Sequence, residues 1–260
     1  MSRPLRFEQV ETIDSTNAEL MRRPWAPGAN NTPLALWAQQ QTAGRGRLGR
    51  PWHARAQDAI TLSVALDLAA PVGALIGLPL AVGVALAEGL QEYGARVLLK
   101  WPNDLYVLAG AMPAKVGGIL TEVKASGPPA SSSGIPDLHR VVVGFGLNLF
   151  AAPEGLTQPA AAIFSPEQQD ALNRAALAHA LAARVAEVLL RYPQEGLGAW
   201  QAAWQARDLL AGRQITVHHP DGRSEAVQAQ GIDAQGGLKI RDAQGRSRTL
   251  TSAEVSVRLD

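Results

Sequence analysis

Between Gln41 and Trp52 the chain reads QTAGRGRLGRPW, with Gly44, Gly46 and Gly49 interleaved among Arg45, Arg47 and Arg50. Glycine frees the backbone, and arginine holds a permanent positive charge in a planar fork that fits carboxylates and phosphates. A stretch with so little bulk builds no core. Its chemistry is that of a loop closing over a small, negatively charged molecule. The same residues satisfy G-x-G-x-x-G, but a dinucleotide site needs a helix to open there, with its N-terminus facing the pyrophosphate. Here Arg50-Pro51-Trp52 leads into another strand, and arginines would crowd a tight turn. The chain has no G-x-x-x-x-G-K-[ST] and no H-R-D or D-F-G, which excludes a P-loop and a kinase site.

Four further clusters carry reactive or ligand-binding groups: Asp14-Ser15-Thr16-Asn17, Lys100-Trp101-Pro102-Asn103-Asp104, Lys115 with Gly117-Gly118, and Gly144-Phe145-Gly146-Leu147-Asn148. Each has a plain structural reading. The hydroxyls of Ser15 and Thr16 suit a helix cap, and the Pro-Asn-Asp run suits a turn. Paired glycines mark a bulge or a close approach to the backbone. The arginine loop alone would also serve as a nucleic-acid tether. The combination, in this order, carries the functional signal.

Composition bounds the reading. A chain of 260 residues holds one large domain, or one of about 200 residues with a small appendage. With 47% hydrophobic and 18% charged residues it is an ordinary globular protein, and a net charge of +1 argues against general binding to nucleic acid or anionic membranes. The absence of cysteine removes disulfides, thiolate nucleophiles and Cys-based metal sites. The opening MSRPLRFEQVE is too polar for a signal peptide. The most apolar run, Val72 to Leu90, contains Pro79, several glycines and Glu88, and reads as a buried helix rather than a membrane span. A soluble, cytoplasmic protein is expected.

The elements that must position these groups follow from periodicity. Strands are expected over Leu5–Val10, Leu34–Gln40, Ala59–Leu68 and Arg96–Lys100, and a hairpin over Val116–Lys124 and Arg140–Leu149. The hairpin encloses the insertion Ser126–Asp137, read as a flexible surface segment. Thr16 and Glu19 have capping-box spacing at a helix start. Long helices are expected over Val72–Tyr93, kinked at Pro79, and over Gln168–Leu190, with another over Gly196–Leu209. From Leu210 onward, short strands alternate with PDG, AQGG and AQG turns, the pattern of a small β-barrel.

Taken together, D-S-T-N at Asp14 to Asn17, Q-x-A-G-R-G-R-x-G-R at Gln41 to Arg50, K-W-P-N-D-L at Lys100 to Leu105, K-x-G-G-I-L-x-E at Lys115 to Glu122 and G-x-G-x-N at Gly144 to Asn148 closely resemble the biotin–protein ligase family. The resemblance covers about 200 residues. Lipoate–protein ligases share the fold but do not usually carry this loop together with K-W-P-N-D. The resemblance implies an α+β fold: a mixed sheet with packed helices, of the class II synthetase-like biotin/lipoate ligase type, over residues 1–208. An SH3-like domain is implied over 209–260. It also implies an ATP-dependent reaction in two steps: activation of biotin as biotinyl-5′-AMP, then transfer to a lysine of a biotin carboxyl-carrier protein of acetyl-CoA carboxylase. Mg²⁺ would come bound to the ATP phosphates, with no metal held by protein ligands alone. Some members carry an N-terminal winged helix; here the motifs start too early to leave room for one, so operator DNA is not an expected partner, and the charge balance speaks against a membrane. Relatives occur as monomers and homodimers.

By the same resemblance Arg47 and Lys115 clamp the biotin carboxylate and the α-phosphate. Asp104 either orients or deprotonates the incoming lysine, or serves a metal or structural role. Ser15, Thr16, Asn17, Gln41, Gly44, Arg45, Gly46, Gly117 and Gly118 are implied in the biotin site; a side chain at the last two would push a ligand off the strand. Arg47, Arg50, Trp52, Lys100, Asn103 and Asn148 are implied in the nucleotide site. The loop is expected to be mobile when empty and to order over the anionic intermediate, shielding it from water. Two departures stand out. Leu48 replaces a further arginine of some members, and Phe164 lies where some relatives place an aromatic ring over the adenine. The competing readings are a lipoate or fatty-acyl ligase, a nucleic-acid-binding protein and a non-catalytic biotin sensor.

Overall fold

Residues Ala59–Ala69 are buried at nearly every position, as a strand in the middle of a sheet covered on both faces must be. The computed structural model describes residues 5–24, 32–125, 138–155 and 158–251, and the backbone of 256–259. The insertion at 126–137 lies outside the described residues. In chain order the elements are β1 (Arg6–Ile13), α1 (Thr16–Arg22), β2 (Leu34–Gln41), β3 (Ala59–Ala69), α2 (Leu78–Glu92), β4 (Leu98–Lys100), β5 (Asp104–Ala109), β6 (Met112–Ala125), β7 (Leu138–Asn148), α3 (Arg174–Glu195) and α4 (Gly198–Gln205). They are followed by β8 (Gln214–His218), β9 (Ser224–Ile232), β10 (Leu238–Arg241), β11 (Ser247–Leu250) and β12 (Ser256–Leu259).

The first seven strands form one mixed sheet in the order β1-β2-β3-β7-β6-β5-β4. Among the described strands only β1 and β2 run parallel, and α1 lies in the crossover between them, as a parallel pair requires. Side chains alternate across the strands, so each strand serves two layers. Ile60, Leu62, Val64, Val141, Val143, Phe145 and Leu147 pack with α2 and α3 in the main core. Leu36, Ala65 and Val142 face the other way and pack beneath Leu20 of α1. Truncating a fully buried core leucine such as Leu86 or Leu90 to Ala should cost about 2–5 kcal/mol.

Several expectations shift on inspection of the elements. Pro79 does not kink a long helix: Val72–Leu75 is a separate 3₁₀ turn, and Pro79 sits in the first turn of α2, where no backbone donor is lost. The N-cap of α1 is Ser15, whose side chain accepts from the Ala18 backbone N–H, so Thr16 and Glu19 do not form the expected box. The helix expected from Gln168 begins at Arg174, capped by Asn173, because Ser165 and Gln168 close a capping box on a 3₁₀ turn of their own. Strand β5, short and following a tight turn, was not anticipated. The apolar segment Val72–Glu92 is long enough to cross a membrane by composition, but it is 67% buried within this fold.

The last five strands form an antiparallel sheet, ordered β11-β10-β9-β8-β12 among the described residues. It is tied to the first sheet at the K-W-P-N-D turn. Trp101 is fully buried and its Nε1 donates to the Gly236 carbonyl at 3.0 Å. The chain entering the second sheet pairs with the edge strand β4: Leu99 N–H donates to Arg207 O at 2.8 Å and Leu209 N–H to Leu99 O at 2.9 Å.

Candidate functional site

The α1 face of β6 and β7 has a floor of glycines. A Cβ on Gly144 would sit 2.1 Å from Asn17 Oδ1, and one on Gly146 would sit 2.3 Å from the Trp52 ring, so both positions are closed to any side chain while those groups stay in place. At Gly118 a Cβ would meet Asp104 Oδ1 at 3.4 Å and Lys115 Nζ at 3.6 Å. Gly117 differs from the expectation. Successive strand residues point to opposite faces, and a Cβ there would strike Leu147 Cδ2 at 2.6 Å in the core. Its missing side chain therefore relieves core packing rather than the ligand face.

Beside this floor runs a line of polar groups from α1 across the sheet. Asn17 Nδ2 donates to Glu122 Oε2 at 2.8 Å and to Leu120 O at 3.3 Å. Ser63 Oγ donates to Asn17 Oδ1 at 2.5 Å and contacts Thr16 Oγ1 at 2.7 Å. Gln41 Oε1 accepts the Thr16 backbone N–H at 2.7 Å, with Thr16 Oγ1 3.1 Å away. Thr16, Asn17 and Ser63 are all buried. Both amide protons of Asn17 are thus engaged within the protein, while Ser15 accepts from the Ala18 N–H at 3.4 Å and keeps its own hydroxyl proton to donate.

The glycine–arginine stretch forms a tight hairpin over the floor. Gly46 N–H donates to Arg50 O at 2.7 Å and Trp52 N–H to Gly44 O at 2.9 Å. A Cβ on Gly44 would lie 2.7 Å from the Trp52 carbonyl, which explains the glycine. Leu48 takes a left-handed φ of 57° at the loop tip and is 73% exposed. Arg45 Nη2 lies 4.0 Å from Glu122 Oε1. Trp52 rests on Gly146, with its Nε1 buried and unpaired, and the Lys115 ammonium stands 5.9 Å from the centroid of its ring.

The cations converge at the other end of the floor. Lys115 Nζ pairs with Asp104 Oδ1 at 2.7 Å. Arg47 Nη1 donates to Asn103 Oδ1 at 3.3 Å, and Asn103 Nδ2 donates to Ile119 O at 2.7 Å. Burial pushes the Arg47 guanidinium below its usual pKa; the Asp104 carboxylate opposes this and Arg50 adds to it. Lys100 is buried, with Nζ 5.8 Å from the Tyr106 ring centroid, and burial raises the Tyr106 phenol above its ordinary range. Asn148 Nδ2 contacts Ala161 O at 3.4 Å, while its Oδ1 is buried without a partner. Such an orphaned acceptor, 3% exposed, is the kind of group a bound donor would satisfy. Phe164 is buried and packs beside Phe150, ring centroids 6.3 Å apart.

The fold thus brings together Thr16, Gln41, Arg45, Arg47, Trp52, Lys100, Asn103, Asp104, Lys115, Gly118 and Asn148 along one sheet face, with Arg50 exposed on the hairpin. Sequence reasoning missed Ser63 and Glu122 as members of the polar line. The available signal for Ser63 was a serine that, with Thr61, interrupts the otherwise apolar run AITLSVAL. It also missed Arg140, which pairs with Asp67 at 3.0 Å and donates to the Arg23 carbonyl at 2.8 Å, holding the C-terminal end of α1.

Comparison with known proteins gives a consistent picture. The family model "Biotin/lipoate A/B protein ligase family" matches residues 10–135. The chain is 33% identical to a biotin–[acetyl-CoA-carboxylase] ligase of Mycobacterium tuberculosis, over 96% of this chain and 88% of that protein. It is 34% identical to a ligase of the same name from Paracoccus denitrificans, over 93% of this chain and 96% of that protein. Among solved structures, a biotin protein ligase from Aquifex aeolicus in complex with biotin and ATP superposes with a TM-score of 0.75 at 25% identity, covering 98% of this chain and 99% of that one.

Proposed function

We propose that this chain, which belongs to the biotin/lipoate A/B protein ligase family, is an ATP-dependent biotin–protein ligase. The observation that carries this reading is the meeting of Lys115, Arg47 and Asp104 at one end of the glycine floor, with the Thr16–Gln41 polar line at the other. One end suits two anions that must be brought together. The other suits a neutral ring that both donates and accepts hydrogen bonds.

In the first step a biotin carboxylate oxygen attacks the α-phosphorus of ATP, and pyrophosphate leaves. Two anions repel in water, and positioned cations lower that barrier most when they are held in place beforehand. Lys115, fixed by Asp104, and Arg47, braced by Asn103, are such cations. In the second step a carrier lysine attacks the acyl carbon and AMP leaves. The hairpin of Gly44 to Trp52 covers the acyl-adenylate against water meanwhile. Asn148, with its orphaned carbonyl, supports an adenine-facing role. Mg²⁺ would come with ATP, whose phosphate oxygens it favours, and would offset their charge there.

The acceptor we infer is a biotin carboxyl-carrier domain, by analogy with the named activity of the relatives. We divide the chain into a ligase domain over residues 1–208 and a small domain over 209–260; the two separate sheets support the division, and the five antiparallel strands of the second are consistent with an SH3-like fold. The test is to incubate the protein with ATP, Mg²⁺ and an apo biotin-carrier domain, offering biotin and lipoate together, and to record the carrier's intact mass. One biotinyl adduct is expected. A lipoyl adduct would move the protein to the lipoate branch of the family, and an unmodified carrier would leave a binding role.

A further inference from the structure

We propose that Arg174, the first residue of α3, is a positioning residue that ties together the two stems of the glycine–arginine hairpin and so keeps the hairpin seated over the glycine floor. This deepens the ligase reading and rests on it, since there the hairpin is the cover of the acyl-adenylate.

The hairpin springs from a fork in the sheet. β2 and β3 pair from Leu34 with Ala65 to Ala38 with Thr61, where Thr61 Oγ1 also donates to Ala38 O at 2.9 Å. Beyond that point the two strands part. Gln40 and Gln41 go on pairing with Thr12 and Ile13 of β1, while Ala59 and Ile60 go on pairing with Asn148 and Leu147 of β7. The entering stem stays bonded beside β1: Thr42 N–H donates to Ile13 O at 2.9 Å and Ala43 N–H to Asp14 O at 2.8 Å. The returning stem, residues 53–57, has no such ladder. Among the described residues its one hydrogen bond to another element runs from Arg174 Nη1 to Ala56 O, at 2.5 Å.

Arg174 Nη2 donates to Gln39 Oε1 on the entering side. One planar guanidinium therefore spans the fork where the ladder ends, and its rigid set of donors suits two acceptors at once. The group rests over the Trp37 ring, 5.4 Å from its centroid. The Asp58 carboxylate attracts it against the burial that disfavours its charge. Asp58 O in turn accepts from the Leu149 and Phe150 N–H groups at 2.6 and 3.2 Å, which joins the fork to the end of β7 that carries Asn148. Trp52 lies four residues before Ala56 and rests on Gly146, so the tether at Ala56 limits how far the indole can lift. The helix does not account for this arginine. A cation in the first turn opposes the helix dipole, and Asn173 caps α3 without it.

The experiment compares wild type, Arg174→Ala, Arg174→Lys and Gln39→Ala in two measurements. The first is amide hydrogen exchange without ligand. The second is AMP release from biotin and ATP with no carrier present, where water attacks the acyl carbon of the adenylate and AMP leaves. In Arg174→Ala, amides of residues 44–57 should exchange about tenfold faster, with α3 unchanged, and AMP release should rise about tenfold as water reaches the intermediate. Gln39→Ala, which keeps one arm of the bridge, should show the same two changes at smaller size, and it decides the matter if Arg174→Ala does not fold. Arg174→Lys keeps the charge without the fork and should restore little; full recovery would overturn the two-armed bridge. Unchanged exchange at 44–57, faster exchange shared equally with α3, or a freed hairpin with no added AMP release would each overturn the proposal. Wild type that makes no biotinyl adenylate would overturn the ligase reading instead, while the exchange measurement still decides whether Arg174 holds the hairpin.

Discussion

Lys115 Nζ lies 2.7 Å from Asp104 Oδ1 across the adjacent strands β6 and β5, with both side chains less than one-fifth exposed. The pair is brought into line by a register shift in the β5–β6 ladder between Leu105 and Tyr106. It sits beside Gly118, where an added Cβ would lie in ordinary contact with Asp104 Oδ1 at 3.4 Å and Lys115 Nζ at 3.6 Å. An anion arriving at the site therefore meets a lysine already held by a carboxylate, and must share it.

Removing Lys115 should remove a donor that strengthens in the transition state. Lys115→Ala is expected to slow biotinyl-adenylate formation by about 10²–10³-fold, measured as pyrophosphate release in a single turnover. Asp104→Asn should slow the same step about tenfold through loss of the charged hydrogen bond that positions Lys115. Normal adenylation with slow transfer alone would instead assign Asp104 to the incoming lysine.

At Gly146 a methyl group would overlap Trp52, whose ring lies 2.3 Å from an ideal Cβ. Gly146→Ala should displace the indole from the floor, shift tryptophan emission to the red and weaken ATP binding. Unfolding measurements should show a cost of about 1–3 kcal/mol. Unchanged emission and ATP affinity would mean that the hairpin does not rest on the floor in solution.

Arg140 braces the opposite end of the helix that carries Ser15, Thr16 and Asn17. Its guanidinium holds both Asp67 oxygens, at 3.0 and 3.2 Å, and the Arg23 carbonyl at 2.8 Å. Arg140→Ala should cost about 1.5–3 kcal/mol in urea unfolding and raise the KM for biotin more than it lowers kcat. A fall in kcat at unchanged KM would argue against α1 as the element affected.

Asp208 joins α4 to the second sheet, and burial raises its pKa from 3.8 to about 6, against the pull of the Leu210 and Ala211 backbone N–H groups. Its Oδ2 is buried without a partner. The folded state therefore binds this proton more tightly than the unfolded chain. The contribution to stability is full below about pH 4 and is lost as pH rises toward 6. Asp208→Asn should stabilise the protein at pH 7 by about 3 kcal/mol, and the gain should largely vanish at pH 4. A gain of equal size at both values would assign the effect to packing instead.

Much of the site was legible because its motifs sit at the ends of strands, where spacing along the chain translates directly into spacing in space. The hairpin that carries Gly117-Gly118 opposite Gly144 to Asn148 is of this kind, whereas the pairing of Asp104 with Lys115 and Gly118 runs through β5, which the sequence does not announce. The strands of the first sheet other than β5, and the apolar body of α2 though not its start, followed from hydrophobic periodicity. Helix starts were less legible. Ser15 and Thr16 are adjacent hydroxyls with equal claim to the cap, and only Gln41 and Ser63, brought in by β2 and β3, draw Thr16 away from it.

By itself the sequence determined the family and the order of the motifs, because that set of residue types at those spacings is specific, and it singled out Arg47 and Lys115 as candidates to meet the reacting anions. Tertiary structure alone decided which face each glycine serves, placing Gly117 against Leu147 and Gly118 beside Lys115. It alone brought Glu122, Asn17 and Ser63 into one line from three separate elements. The physical reason is that strand register and sheet order come from long-range packing. One residue of slip moves every side chain to the opposite face, and nothing local in the sequence records that choice.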